Sequence, residues 1–445
     1  MAASAPSWFG WPSDDPAPLR EPRKPMRNVS AFVRVWPALT LVAANAKAAA
    51  IPTMAKICFC MILLSQCVGV VVIVKETSVL TTRTVRVFKS ILVSTRRSST
   101  KISSAPTVAG ATGTPYDALP MRYGIVTQGL EDPRRFGDFA AWIESLGFDH
   151  LWITDSSLHA GDAYVYATIA LQATTILKVG VGVTNPLTRH VGVTANLGRS
   201  LSQLAPGRYI CGLGAGDSPV FELGFRPAKL QTLRDTMTAM RRLWSGETLA
   251  DEVVGAQRFW GGGLLTPVEP PPIYLAASGP RTTELAGECG DGVVLLAGLF
   301  PDALAAATQS LEAGRARSVR AEFATCCFLH GRIGPNEDEA LDAARPLAAW
   351  YASVVPDIAR KAGLSEELIA AVAANFGGGE FQGAVEAGRL LPSEVVRKLA
   401  FSGSPAILAA KLDWLRGTGI DAVSMFPLGP ERRATISAFA TLAFS

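Results

Sequence analysis

The sequence predicts an α/β protein whose main domain is a (β/α)8 TIM barrel, with a helical insertion near the seventh strand and an N-terminal extension. Between residues 121 and 445, short β-branched segments alternate eight times with segments of helical spacing. Small and polar residues follow several of these strands, as expected where the carboxyl ends of barrel strands meet. A long helical pattern, Asn336–Ala400, interrupts the rhythm. An open, doubly wound sheet is the alternative arrangement.

Each predicted strand is short and apolar, and a turn and a helix follow it. The first helix begins at Pro133 and is closed by Gly147, a residue suited to the left-handed position after a helix. The predicted strands are Met121–Val126, His150–Thr154, the start of Lys178–Ala195, Arg208–Leu213, Ile273–Ala276, Val293–Leu296, Glu322–Gly331 and Ala422–Phe426. The second helix is predicted over Asp162–Thr175, and the helix that follows the third strand is predicted to end at Leu204. The later helices are predicted over Pro227–Trp244, Arg281–Cys289, Pro301–Gly314, Pro405–Arg416 and Pro430–Leu442. A loop rich in glycine and proline, Gly246–Pro272, precedes the fifth strand.

Residues 1–120 differ in composition from the rest and are predicted to be a separate extension. They carry 14 Lys and Arg against 5 Asp and Glu, whereas residues 121–445 carry 28 against 33. The mildly acidic main domain argues against nucleic-acid binding. Ile57–Val74 is free of charge over the minimum length of a membrane-spanning helix, and a basic Ser/Thr-rich tract, Thr81–Ser104, follows it. The extension is therefore predicted to be one of three things: a membrane anchor, a targeting leader, or upstream sequence joined to the main domain by an incorrect start site. A cytoplasmic location is expected, with membrane contact through residues 57–74 as the alternative.

The stretch Lys178–Ala195 carries the first functional signal. Gly180 and Gly182 lie inside its strand, where glycine weakens pairing unless a bulge forms or a flat ligand approaches the backbone. The strand breaks at Asn185, and the polar residues Thr188, Arg189 and His190 precede the next helix. We expect a planar cofactor to lie against the end of this strand.

Three further segments lie at predicted strand ends and should meet Asn185 at one mouth of the barrel. Asp155 ends the second strand and would contact a cofactor ring, assist proton transfer or cap the next loop. Gly212–Asp217 resembles a dinucleotide-binding fingerprint but has Asp217 in the place of the third glycine. Its glycines are expected either to let a ligand approach the backbone closely or to form a tight turn. Ala277–Pro280 precedes a helix whose first N–H groups would bind phosphate. The alternative is that Ser278 acts only as the helix cap and that no ligand binds.

Other catalytic classes find no support in the sequence. No serine-hydrolase elbow, H-E-x-x-H motif or P-loop occurs, and no carboxylate pair suggests a glycosidase. The histidines stand singly and the cysteines form no C-x-x-C pair, so no metal site is predicted.

Four segments between Met121 and Gly429 resemble the bacterial luciferase-like family of flavin- and deazaflavin-dependent oxidoreductases. They are Leu151–Asp155 (LWITD), Gly180–His190 (GVGVTNPLTRH), Gly212–Asp217 (GLGAGD) and Ala277–Gly292 (ASGPRTTELAGECGDG). They are most similar to the methylenetetrahydromethanopterin reductase branch, which uses coenzyme F-420. Two positions differ: Val126-Thr127 stands where that branch has an acidic residue, and Ser156 where many relatives have histidine.

The resemblance implies a (β/α)8 barrel that transfers hydride between coenzyme F-420, or FMN, and a small organic substrate. An FMN-dependent monooxygenase using oxygen and a non-catalytic cofactor-binding barrel are the alternatives. The resemblance also implies a homodimer, a non-prolyl cis peptide at Gly182–Val183 that supports the cofactor ring, and cofactor phosphate at Ala277–Gly279. The predicted catalytic residues are Asp155, Arg189 and His190. The predicted cofactor-binding residues are Gly182, Val183, Thr184, Asn185, Gly214, Gly216, Ala277, Ser278, Gly279 and Pro280.

Overall fold

A computed structural model of the chain describes residues 120–264, 266–376 and 384–445. The apolar segment 57–74 and the basic tract 81–104 lie outside these ranges, as do residues 377–383 of the predicted helical pattern 336–400. Within the described ranges, no helix combines the length and the apolar character needed to cross a membrane.

Eight parallel strands close into a barrel, which confirms the predicted fold and excludes the open sheet. In chain order, the strands of the barrel and of a separate two-stranded sheet (β5 and β6) are β1 (Arg122–Thr127), β2 (His150–Ile153), β3 (Lys178–Thr184), β4 (Tyr209–Leu213), β5 (Glu252–Val254), β6 (Gln257–Phe259), β7 (Ile273–Ala277), β8 (Gly292–Leu295), β9 (Ala324–Gly331) and β10 (Ala422–Pro427). Around the barrel the order is β1, β10, β9, β8, β7, β4, β3 and β2. Strands β5 and β6 form a separate antiparallel hairpin within the segment predicted as an irregular loop.

Helices pack between successive strands and around the outside of the barrel, as predicted. They are α1 (Phe136–Ser145), α2 (Ala163–Ala173), α3 (Val191–Leu204), α4 (Ser218–Glu222), α5 (Leu230–Trp244), α6 (Pro280–Cys289), α7 (Pro301–Arg315), α8 (Glu337–Val354), α9 (Pro356–Ala362), α10 (Glu366–Asn375), α11 (Val385–Gly388), α12 (Ser393–Leu399), α13 (Pro405–Arg416) and α14 (Arg432–Phe444). The short helix α4 was not expected from the sequence. Because local periodicity sets most of these boundaries, they agree with the predicted ones to within a few residues.

The predicted helical insertion after β9 consists of α8 to α12 in the described residues. Its buried residues, such as Leu347 and Val396, belong to the same hydrophobic cluster as the barrel-interior residues Val126, Trp152 and Phe328. The insertion therefore shares its core with the inside of the barrel.

Trp152 fills the centre of the barrel and accounts for the glycines of β3. A Cβ atom placed on Gly180 would lie 2.2 Å from Trp152 Cε3, and one on Gly182 would lie 2.8 Å from the same atom. Since real Cβ atoms do not approach other atoms so closely, β3 needs glycine at both positions to pass the indole ring. The expected reasons for these glycines, a bulge or the approach of a flat ligand, are therefore incomplete, because side-chain packing inside the barrel already requires them.

Candidate active site at the mouth of the barrel

A cavity of about 520 Å³ opens at the carboxyl ends of the barrel strands. Asp155, Asn185, Gly214–Asp217 and Ala277–Gly279 all line it, as their strand-end positions predicted. Its volume falls within the range typical of sites for drug-sized ligands and cofactors. The mouth is therefore the candidate active site.

The end of β3 forms one wall of this cavity. Gly182, Val183 and Asn185 line it, and the pairing of β3 with β4 shifts register between Val181 and Thr184, as in a bulge. The peptide bond between Gly182 and Val183 is cis, as the resemblance implied. The side-chain oxygen of Asn185 accepts hydrogen bonds from the N–H groups of Leu187 and Thr188, both at 2.9 Å, and so shapes the turn after the strand.

The glycines at the end of β4 lie beneath this bulge. A Cβ on Gly212 would lie 2.3 Å from the carbonyl oxygen of Val181, and one on Gly214 would lie 2.7 Å from Val183 Cγ2. Gly216 has a φ of +94°, which favours glycine. Packing and turn geometry thus account for these glycines, and Gly214 and Gly216 also line the cavity.

The first turn of α6 forms a second wall. Ala277, Ser278, Gly279 and Thr282 line the cavity, whereas Pro280 does not belong to the lining. Gly279, not Ser278, is the N-cap residue, and no side chain caps the helix. The expected capping role of Ser278 is therefore wrong. The first N–H group bonded within the helix is that of Thr283, to Gly279 O at 3.0 Å, so the preceding amide donors are available at the cavity.

Asp155 is held at the cavity by two polar partners, Arg189 and Thr184. Its side chain is 2% exposed and pairs with the Arg189 guanidinium. The Thr184 hydroxyl donates a hydrogen bond of 2.8 Å to Asp155 Oδ2, which places Thr184 behind the wall, outside the lining residues. Arg189 also pairs with Asp162 at 2.8 Å. Burial acts to lower the pKa of Arg189, but the bonds and charges of the two carboxylates outweigh it and the pKa lies above its ordinary value.

The structure does not place Arg189 or His190 among the lining residues. Arg189 acts on the site through Asp155. His190 is the N-cap residue of α3: its Nδ1 accepts a hydrogen bond of 3.1 Å from Gly192 N–H, and its ring contacts that of Phe259 edge-on at 4.7 Å. These contacts give His190 a structural role at the start of α3.

Sequence reasoning missed the aromatic side chains that line the cavity. Phe328 and His330 of β9, Phe426 of β10 and Trp350 of α8 all line the cavity. Burial lowers the pKa of His330 to about 4, although a hydrogen bond with the Phe328 backbone acts in the other direction. The position of His330 near the carboxyl end of a predicted strand was the signal that could have identified it.

A closed parallel barrel with a ligand-sized cavity at this end has the architecture in which barrel enzymes bind their ligands among the strand–helix loops. Residues 88–422 match the luciferase-like monooxygenase family, and the chain belongs to that family. The match begins upstream of the predicted domain start at residue 121. It confirms the resemblance seen in the sequence, and with it an enzyme of the oxidoreductase class.

Individual relatives support the same assignment. The chain is 30% identical over 307 residues to 5,10-methylenetetrahydromethanopterin reductase of Archaeoglobus fulgidus, over 66% of this chain and 90% of the relative. It is 28% identical over 253 residues to an F-420-dependent glucose-6-phosphate dehydrogenase of Microbacterium testaceum, over 52% of this chain and 74% of the relative. The structure of coenzyme F-420-dependent tetrahydromethanopterin reductase from Methanopyrus kandleri matches with a TM-score of 0.62 at 22% identity, covering 72% of this chain and 98% of that one. This structural match supports the fold.

Proposed function

We propose that the protein binds coenzyme F-420 at the barrel mouth and exchanges hydride with a small organic substrate. The observation that carries this proposal is the cavity at the strand ends, which has uncapped backbone donors on one wall and a strand bulge on another. The relative from Microbacterium testaceum is F-420-dependent by name, which supports the choice of cofactor.

The α6 wall fits the phosphate of such a cofactor. Backbone N–H groups at the start of a helix bind anions through their unpaired hydrogens and the helix dipole. No atom lies within 4 Å of the position that a Cβ on Gly279 would take, so the backbone there has open space beside it. Ala277, Ser278 and Gly279 would hold the phosphate without a cationic side chain.

The β3 wall would position the ring. Gly182 and Val183 present backbone and a small aliphatic side chain to the cavity, surfaces against which a planar ring can lie. The Asp155 carboxylate stands at the same mouth, fixed by Thr184 and Arg189, and could orient the polar edge of the ring. A bound reduced deazaflavin or flavin supplies the hydride; the protein supplies binding, orientation and exclusion of water.

FMN with oxygen is the second candidate, because the matching family is described as luciferase-like monooxygenases. The same phosphate and ring walls would serve FMN. The homodimer, the cytoplasmic location and the domain boundary at residue 121 stay predictions from the sequence.

Titration of the purified full-length chain with oxidised F-420 and with FMN, followed by fluorescence, tests the proposal and selects the cofactor. We expect Thr282→Glu to abolish binding, since its carboxylate would meet the phosphate at the α6 wall. The same substitution should leave the thermal stability intact, because an acidic residue in the first turn suits the helix dipole. Thr282→Gln is the neutral control and should bind normally. Failure of the wild-type chain to bind either cofactor at micromolar concentration would refute the proposal.

A further inference from the structure

The wall formed by β9 and β10 lies across the cavity from the bulge of β3. In the ring of strands, three strands separate β9 from β3 in either direction, so the two face each other. Phe328 reaches across the interior: its Cζ is 3.3 Å from the position that a Cβ on Gly182 would take. His330 follows two residues later and therefore projects from the same face of β9, one layer nearer the mouth.

His330 is fixed in this wall. Its ring stacks on that of Phe426, with centroids 5.1 Å apart and planes at 18°, and the residue is 8% exposed. Its low pKa keeps the imidazole neutral at pH 7. A neutral imidazole has one N–H donor and one acceptor nitrogen. The hydrogen bond with the Phe328 backbone uses the donor. The acceptor nitrogen is therefore the polar atom that His330 brings to a wall it shares with Phe328 and Phe426.

The charges around the cavity disfavour an anionic substrate. Among the described residues that line it, Asp155 and Asp217 carry carboxylates, and none is Lys or Arg. Asp155 pairs with Arg189, and Asp217 accepts a hydrogen bond of 2.8 Å from Trp350 Nε1. The cofactor phosphate would meet the backbone N–H groups at the start of α6. A carboxylate or phosphate on a substrate at the β9–β10 side would be buried with neither these donors nor a lining cation beside it, which is strongly unfavourable.

We propose that this wall binds the substrate, that the substrate is an uncharged, mainly apolar alcohol, and that its hydroxyl donates a hydrogen bond to His330. The inference rests on the proposed function, which assigns the cofactor to the β3 and α6 walls and leaves the β9–β10 side for the substrate. The inference predicts that this chain acts on a different kind of substrate from the phosphorylated sugar in the name of the Microbacterium relative.

Three matched probes test the inference by calorimetry on the full-length chain, with and without saturating cofactor. These are 1-phenylethanol, ethylbenzene, which lacks the hydroxyl, and mandelate, which carries a carboxylate in place of the methyl group. The hydroxyl of 1-phenylethanol can donate to the acceptor nitrogen of His330, which ethylbenzene cannot do. We expect mandelate to bind at least about a hundredfold more weakly than 1-phenylethanol.

The variant His330→Phe keeps a ring against Phe426 but loses the polar atoms. It should weaken 1-phenylethanol binding roughly three- to tenfold, which is the loss of affinity expected when one hydrogen bond is removed, and it should leave ethylbenzene binding unchanged. His330→Gln should restore part of the loss. His159→Phe is the control, because His159 pairs with Glu222 and does not line the cavity.

Three results would overturn the inference. They are equal affinity of wild type and His330→Phe for 1-phenylethanol, no binding of 1-phenylethanol by the wild type, and tight binding of mandelate. Cofactor titration of the same proteins separates this failure from that of the proposed function. If cofactor binds and alcohol affinity is independent of His330, only the inference fails. If cofactor binds neither protein, the proposed function fails.

Discussion

At the scale of single residues, Trp152 determines which neighbours can carry a side chain. Its ring packs tilted against Tyr274, at 5.8 Å between centroids, and edge-on against Phe328, at 5.6 Å. It therefore has no room to move when a neighbour grows. Gly180, which does not line the cavity, is the more sensitive of the two β3 glycines, because its Cβ position lies closest to the indole.

We predict that Gly180→Ala lowers the free energy of unfolding by about 3 kcal/mol, the upper end of the usual effect of overpacking. Urea unfolding followed by circular dichroism measures this. Gly334→Ala is the matched control: its Cβ position has no atom within 4 Å, so stability should stay nearly unchanged. Equal losses in the two variants would show that contact with Trp152 is not the cause.

At the scale of secondary-structure elements, Arg189 joins three segments at the mouth. It pairs with Asp155 after β2 and with Asp162 before α2, while its own backbone follows β3. Asp162 also caps α2, because its Oδ1 accepts a hydrogen bond of 2.9 Å from Tyr164 N–H. The ion pairs therefore fix the loop after β2 relative to the end of β3, and with it the position of the Asp155 carboxylate.

Removing the guanidinium should leave the Asp155 carboxylate buried without its cation. We predict that Arg189→Gln lowers the free energy of unfolding by roughly 3 kcal/mol, and that adding Asp155→Asn recovers part of this loss. Denaturant unfolding of the two single variants and the double variant gives the coupling. Arg134→Gln, which breaks an exposed pair with Asp132, should have no measurable effect. Strict additivity of the two single changes would contradict this account.

At the scale of the whole molecule, a neutral histidine stands near each end of the barrel interior. His150 begins β2 beneath Trp152, and His330 lies at the mouth. Burial, followed by the charges of Arg122 and Lys178, lowers the pKa of His150 to about 3, and burial lowers that of His330 to about 4. In the unfolded chain both would titrate near 6.5.

The folded pKa values lie below the unfolded ones, so the unfolded state binds more protons at acidic pH. We therefore predict that these two histidines do not lower the free energy of unfolding above about pH 6.5, and that they lower it progressively as the pH falls towards 4. Each histidine should contribute about 1.4 kcal/mol per pH unit in that window. Unfolding of His150→Gln/His330→Phe between pH 7 and 4 should show a shallower slope than the wild type. Parallel slopes would mean that these histidines are not kept neutral by the fold.

The order of strands and helices was predictable because it depends on local periodicity and turn residues. The barrel followed from that order, and the strand-end rule then placed Asp155, Asn185 and Ala277–Gly279 at one mouth. The hairpin of β5 and β6 was missed, since three-residue strands inside a loop carry almost no periodic signal.

The sequence by itself therefore determined the fold, the end of the barrel that carries the site and the family resemblance. Only the tertiary structure brought the aromatic side chains of β9 and β10 into the cavity, left Thr184, Arg189 and His190 outside its lining, and decided what each glycine is for. Gly182 and Phe328 come together because the barrel closes, and His330 joins the site because β9 lies opposite β3. Such contacts between residues more than a hundred positions apart depend on closure and on the exact packing of side chains, which no local pattern records.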